Sequence, residues 1–184
     1  WVELNVTNKD VLAVRIDQSG KFPATTLLRA MAEEYGRDQD LIRAFYPTVK
    51  VATSSRTFRK QVTGKHAVVE VRLEGEEKPL VEALEPVSAE AAEAMARAGI
   101  EHVEIIEDLD DPLILNTVLE DTTESHEEAL LKIYGRLRPG NPPQLEKAKD
   151  LFKEKFFDPS RYRLGRVGRF RLNRKFGTTF SEDE

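Results

Sequence analysis

The stretch Tyr134 to Pro143, YGRLRPGNPP, limits what this chain can become more than any other, because a helix has to end inside it. Leu130, Leu131, Ile133, Tyr134 and Leu137 recur at spacings that line one side of a helix. Lys132, Arg136 and Arg138 close its last turns, where the negative end of the helix dipole favours cations. Pro139 cannot continue the helix and turns Arg138 away from the α conformation. Gly140 accepts positive φ, and Pro142 and Pro143 stiffen the exit before the next helix. By turn chemistry alone this is a short, stiff helix-to-helix connection that carries an arginine.

Charge along the chain divides it. Residues 1–73 carry a net +4, residues 74–128 a net −16, residues 129–177 a net +10 and the tail a net −3. An acidic middle between two basic ends points to a polyanion as partner of the ends and not of the middle. The most basic segment runs from Arg161 to Lys175, where Arg161, Arg163, Arg166, Arg169, Arg171, Arg174 and Lys175 are interleaved with Tyr162, Leu164, Val167, Phe170 and Leu172. Such a segment either offers phosphate-binding charge along one surface or is a solvated face whose stems pack over a core.

The order of elements follows from pattern. Trp1–Val6 and Val11–Ile16 read as a hairpin joined by the polar Thr7–Asp10. Pro23 opens a helix carrying Leu27, Leu28 and Met31 that Gly36 ends, and Asp38 caps a second one with Leu41, Ile42 and Phe45. Thr48–Ala52 and His66–Leu73 read as strands, with the basic SSRTFRKQVTGK between them. Within the acidic block, Ser88 caps an alanine-rich helix over Ala91–Ala98, Gly99 ends it, and His102–Ile106 is a short strand. The apolar stretch Leu113–Leu119 is left open between helix and strand. Ser125 opens the helix that leads into the RPGNPP turn, and Leu145, Ala148, Leu151, Phe152 and Phe156 mark the helix after it. Short helices joined by Gly165 and Gly168 are expected at the basic end. The predicted class is α+β: small antiparallel sheets packed with helices, and an inserted acidic α/β subdomain with a small core of its own.

Three long segments carry a resemblance. IYGRLRPGNPP, the following KDLFKEKFFDPSRYRLGRVGRFRLNRKFG and the opening WVELNVTNKDVLAVRIDQSGKFPATTLLRAM together resemble the bacterial RNA polymerase beta subunit, in that family's order. The resemblance implies the lobe domain, divided as residues 1–73 and 122–184, with a lineage-specific acidic insertion over residues 74–121. It implies a wall of the DNA channel that positions downstream duplex and non-template strand, in contact with sigma factor and the other polymerase subunits, in the cytoplasm at the nucleoid. Arg138, Pro139, Gly140, Asn141, Pro142 and Pro143 would be the gate loop. Trp1 would stack on an unpaired non-template base, although a lone tryptophan on a strand is by position alone a core residue. Arg138, Arg166 and Arg169 would offer charge to DNA. Arg15 and Lys21 come from the front segment, but Gln18, Ser19 and Gly20 stand where the best-known relatives carry consecutive arginines, and Arg15 is expected to pair with an acidic neighbour. The family's catalytic aspartates and their magnesium lie on another subunit, so no catalytic residue, metal or cofactor is expected in this segment. The alternative is a free-standing adaptor that shares the lobe fold and binds protein or RNA; the abrupt ends of the chain favour a piece of something longer.

Other chemistry finds little support. There is no cysteine, hence no disulfide and no thiolate-ligated metal. His66, His102 and His126 lack ligand spacing, and the acidic run Glu107–Asp111 lacks the glycine and terminal glutamate of a calcium loop. No phosphate-cradling glycine loop or nucleophile elbow occurs. No apolar run approaches the roughly 18 residues that argue for a membrane helix.

Overall fold

The computed structural model of the chain describes residues 1–161 and 164–181. Tyr162, Arg163 and residues 182–184, two of which bear on the basic segment, lie outside the described residues. Small antiparallel sheets pack with helices in an α+β arrangement. Strands β1 (Val2–Val6) and β2 (Leu12–Ile16) form the hairpin that alternation predicts, with Val2 opposite Ile16 and Val6 opposite Leu12. The pair β2 and β3 (Phe22–Pro23) completes a three-stranded sheet in the order β1, β2, β3.

Helix α1 (Ala24–Met31) begins after Pro23, and α2 (Asp38–Phe45) follows a single 3-10 turn at Glu33–Tyr35. Asp38 does not cap α2. Arg37 precedes the helix without a side-chain bond, and the Asp38 carboxylate is drawn instead to the buried Arg29 guanidinium of α1. Strand β4 (Thr48–Ala52) pairs antiparallel with β5 (His102–Ile106), with Thr48 opposite Ile106 and Ala52 opposite His102. Between them stand α3 (Phe58–Val62) and α4 (Ala89–Ala98). Ser88 caps α4 by accepting the Ala91 N–H at 3.0 Å, and Gly99 ends it with φ 70°.

Other sequence expectations also need correction, and α1 ends at Met31 rather than at Gly36. His66–Leu73 is not a strand, because the segment changes partner midway: Ala67 bridges Ile105 of β5, whereas Val71 bridges Val81, so no continuous ladder forms. The basic stretch after β4 contains α3, whose Phe58 and Val62 are buried. The acidic block has no core of its own, since Val81, Val87, Ala91, Ala92 and Met95 pack with Val51, Phe58, Val62 and Ala67 from outside it. The open stretch is α5 (Leu113–Glu120); Asp111 Oδ1 accepts the Leu113 N–H at 2.9 Å, and the Tyr46 hydroxyl accepts the Leu115 N–H at 3.1 Å.

Helix α6 (His126–Leu137) is capped by Ser125, whose hydroxyl accepts the Glu128 N–H at 3.2 Å, and α7 (Leu145–Phe156) packs beside it. Val14, Ile16, Phe22, Leu27, Leu130 and Phe152 join the first sheet, α1, α6 and α7 in one core. Leu41, Ile42, Val68, Ile106, Leu115 and Val118 form another, which links α2 and α5 to β5. Helix α8 (Arg166–Phe176) is continuous through Gly168 rather than broken there, and it buries no side chain. Among the described residues, no helix is long and apolar enough to cross a membrane.

Candidate nucleic-acid interface

The turn after α6 has the shape its sequence dictates. Arg138 leaves the helix with φ −132° and ψ 63°, its N–H still donating to Tyr134 O at 2.8 Å. Gly140 takes φ +87°, which a side chain would resist, and the Asn141 N–H donates to Arg138 O at 3.2 Å. Arg138, Pro139, Gly140, Asn141, Pro142 and Pro143 are all exposed. The core beneath α6 and α7 therefore holds a rigid loop whose arginine side chain reaches solvent.

The front segment meets this helix pair. The Asp17 N–H donates to Trp1 O at 2.8 Å, and the Asp17 carboxylate pairs with Lys155 of α7. Lys155 holds the Asp17 carboxyl below its ordinary value near 3.8. In the same loop, a Cβ placed on Gly20 would lie 2.9 Å from Arg136 Nη1 of α6. Lys21, next in the chain, is exposed. Trp1 is 62% exposed and does not enter the core. Its strand carries exposed Val2, Leu4 and Val6 on the same sheet face as Val14 and Ile16.

Arg15 does not pair as expected. Glu3 stands opposite it in the register, yet Glu3 Oε1 accepts from Asn5 Nδ2 at 2.8 Å, and Arg15 Nε is buried without a hydrogen-bond partner among the described residues. Glu3 is satisfied by its own strand, so the cross-strand pair does not form. Arg166 opens α8 and is exposed. Arg169, half-buried, lies 5.9 Å from the Phe180 ring centroid, a cation–π distance. Trp1, the Asp17–Lys21 loop and α6 are thus brought together, whereas Arg15 sits on the opposite sheet face from the core and α8 buries nothing against it.

Sequence reasoning missed Arg136 as a member of this group and treated it only as a helix-ending cation. Nothing in the sequence marks this approach, because only the fold brings α6 against Gly20. A cavity of about 390 Å³ opens elsewhere, over β5, with Arg43, Lys50, Arg72 and His102 on its walls. Its carboxylate Glu104 is held below the usual carboxylate range by Arg43, which donates to it at 2.8 and 3.0 Å. His66 and His126 each place Nδ1 against a backbone carbonyl, of Leu84 at 2.7 Å and of Arg29 at 2.6 Å.

Lys155→Met is expected to move the Asp17 carboxyl up toward its ordinary value, read by NMR titration. A depressed carboxylate contributes stability above its unfolded value near 3.8 and loses it as pH falls through the folded value. The variant's stability should therefore fall less steeply than that of the parent below about pH 4. An Asp17 midpoint unmoved by the substitution would show that Lys155 does not set it.

Comparison with known proteins finds matches along the whole chain. The family model described as RNA polymerase Rpb2, domain 2 matches residues 99–184. The DNA-directed RNA polymerase subunit beta of Rhodopirellula baltica is 53% identical over 186 residues, covering 99% of this chain and 15% of that protein. The subunits of the same name from Methylacidiphilum infernorum and Chlamydia pneumoniae are 34% and 33% identical, each over 100% of this chain and 15% of the relative. The chain thus spans 15% of the length of these relatives.

Proposed function

The chain belongs to the DNA-directed RNA polymerase beta subunit family, and from that premise we propose that it is the lobe of such a subunit, forming one wall of the DNA channel. The observation that carries the reading is the joining of an exposed Trp1 and the Asp17–Lys21 loop to the helix that ends in the Arg138 turn. A rigid surface with cations and an accessible ring suits positioning, in which phosphate contacts hold the strand and base stacking adds a modest preference.

In this reading Arg138 in the gate loop, Lys21, and Arg166 and Arg169 of α8 meet the DNA backbone, and Trp1 stacks on an unpaired non-template base. Arg15 contributes its guanidinium from the neighbouring sheet face. Residues 1–73 and 122–184 make the wall, and residues 74–121 form an acidic insertion seated on β4 and α3, presenting a surface that a polyanion avoids. Sigma factor and the remaining polymerase subunits are the protein partners, in the cytoplasm at the nucleoid. Nucleotide addition belongs to the whole enzyme, with its magnesium on another subunit and no catalytic residue in this segment.

The test is to replace Arg138, Arg166 and Arg169 with alanine in assembled polymerase and measure promoter-complex lifetime across a salt series. Each lost phosphate contact on duplex DNA should reduce the logarithmic salt slope by roughly 0.9, so three lost contacts should reduce it by about 2.7. An unchanged slope would sink the assignment of these arginines to DNA.

A further inference from the structure

We infer that the open edge of β4 is a docking site for an acidic, extended segment of a protein partner, which adds to the sheet as a third strand with a carboxylate opposite Lys50. The inference does not depend on the channel-wall reading. Val51 of β4 belongs to a different core cluster from α6, which carries the Arg138 turn.

The phase of the ladder decides which backbone groups face outward. Strands β4 and β5 form a sheet of two. Just beyond their ends, the Thr53 N–H donates to Glu101 O at 3.2 Å and the Glu107 N–H to Pro47 O at 2.9 Å. Hydrogen-bonded and non-bonded pairs alternate along an antiparallel ladder. Val49 with Ile105 and Val51 with Val103 are therefore the bonded pairs, and Thr48, Lys50 and Ala52 turn their N–H and C=O groups away from β5. On the far side of β5 the equivalent groups are filled: the Val68 N–H donates to Glu104 O and the Ile106 N–H to His66 O, both at 2.9 Å. On the β4 side only Ala52 O is taken, by the Ser55 N–H at 3.1 Å. The other outward groups, with the donor and acceptor of Lys50 at their centre, have no hydrogen-bond partner among the described residues. An unpaired edge of this kind is a template for another strand.

Side chains select the occupant. Lys50 and Glu104 are cross-strand neighbours. Glu104 is already committed, accepting from Arg43 Nε at 3.0 Å, Arg43 Nη2 at 2.8 Å and Thr48 Oγ1 at 3.1 Å. Lys50 is exposed and takes part in no hydrogen bond or ion pair among the described residues. A strand laid against β4 puts one side chain directly opposite Lys50, where a carboxylate is favoured and a lysine repelled. Two copies of β4 paired antiparallel about their centres would set Lys50 against Lys50, so a second copy of this chain is a poor occupant. Val49 and Val51 point to the other face of the sheet, and Val49 is 36% exposed, so apolar side chains suit the positions opposite them. The preferred segment thus alternates carboxylate and apolar residues. Charge beyond the strand agrees. The chain curls toward the open edge at Ala52, and the Arg56 and Lys60 that follow are exposed, with no hydrogen bond or ion pair among the described residues. Arg59 and Lys65 of the same stretch are spent on the Glu93 carboxylate and Glu107 O.

The test uses assembled polymerase free of DNA and a labelled, end-capped heptapeptide, Ser-Glu-Val-Glu-Val-Glu-Ser, read by fluorescence anisotropy and by amide exchange over residues 48–52. Binding should slow exchange in that segment. N-methylation of the central glutamate, whose amide would bond Lys50 O, should abolish binding, and N-methylation of a valine, whose amide points away from β4, should leave it. Lys50→Ala should weaken binding roughly two- to fivefold. Lys50→Glu should lose this peptide and gain its counterpart with lysine in place of each glutamate. Binding indifferent to Lys50→Glu, or to the central N-methyl group, would overturn the docking site. Outward amides already protected in the polymerase alone would overturn it too, because another part of the assembly would then cover the edge. Protection of the segment by a single-stranded oligonucleotide and not by the peptide would overturn it in favour of a nucleic acid.

Discussion

Replacing Arg29 with methionine is expected to destabilise the fold by about 3–5 kcal/mol, the usual result of removing one partner from a buried ion pair. Arg29 is wholly buried, and its three nitrogens are spent on three different segments. Nε donates to Asp121 Oδ2 at 3.4 Å, Nη1 to Gly36 O at 2.6 Å, and Nη2 to the Asp38 carboxylate. The Asp121 side chain is also fully buried. Burial pushes its carboxyl up, but the Thr123 N–H and the hydroxyls of Thr25, Thr123 and Thr26 outweigh that, and it titrates below its ordinary value. Methionine would fill much of the volume while leaving this carboxylate with Lys132 at 3.4 Å as its remaining cation. Domains of this kind have about 5–15 kcal/mol in total, so the loss should shift a urea midpoint substantially. A cost below about 1 kcal/mol would mean that the threonine hydroxyls and Lys132 suffice for Asp121. The double variant Arg29→Met with Asp121→Leu should cost less than the sum of its parts, because it removes the stranded charge.

Phe58→Ala is expected to cost a similar amount, about 3–5 kcal/mol, but in one place. Phe58 is 1% exposed and packs in the cluster of Val51, Val62, Met95 and Val103, where truncation leaves a cavity among β4, α3 and α4. The sheet, α1, α6 and α7 draw on a different cluster. Amide exchange should therefore accelerate in α4 and β5 while α1 and α6 keep their protection. Uniform acceleration across all four would show that the acidic block and the core of α1 and α6 unfold as one unit. The outcome bears on function, since a selective effect would let the acidic face be loosened without disturbing the Arg138 turn.

The elements legible in the sequence are those whose cause is local. Ser88 and Ser125 cap helices through hydroxyls that accept an N–H three residues on, and that spacing is visible in the sequence. Gly99 and Gly140 take positive φ where a helix or turn must reverse. The hairpin follows from alternation, with Val2 opposite Ile16 and Val6 opposite Leu12. Helix α3 was not legible, because a five-residue helix without a side-chain cap has too few turns to display a period. His66–Leu73 misled for the opposite reason: Val69 and Val71 alternate as in a strand, but the backbone divides its bonds between β5 and Val81. Asp38 was correctly placed at a helix start, yet its carboxylate goes to Arg29, a competitor that no local pattern contains.

For the candidate interface the division is the same. Residue types and short-range order determined the α+β class, the rigid arginine-bearing turn and the segregation of charge, because propensity, proline and glycine chemistry and net charge act within a few residues. Only the tertiary structure decided that Trp1 stays exposed, that Arg15 pairs with no carboxylate among the described residues, that Asp121 is buried against Arg29 across 92 residues, and that Arg136 approaches Gly20. Each depends on which partners compete for a site once distant segments meet, and burial and pairing energies between distant residues leave no periodicity in the sequence.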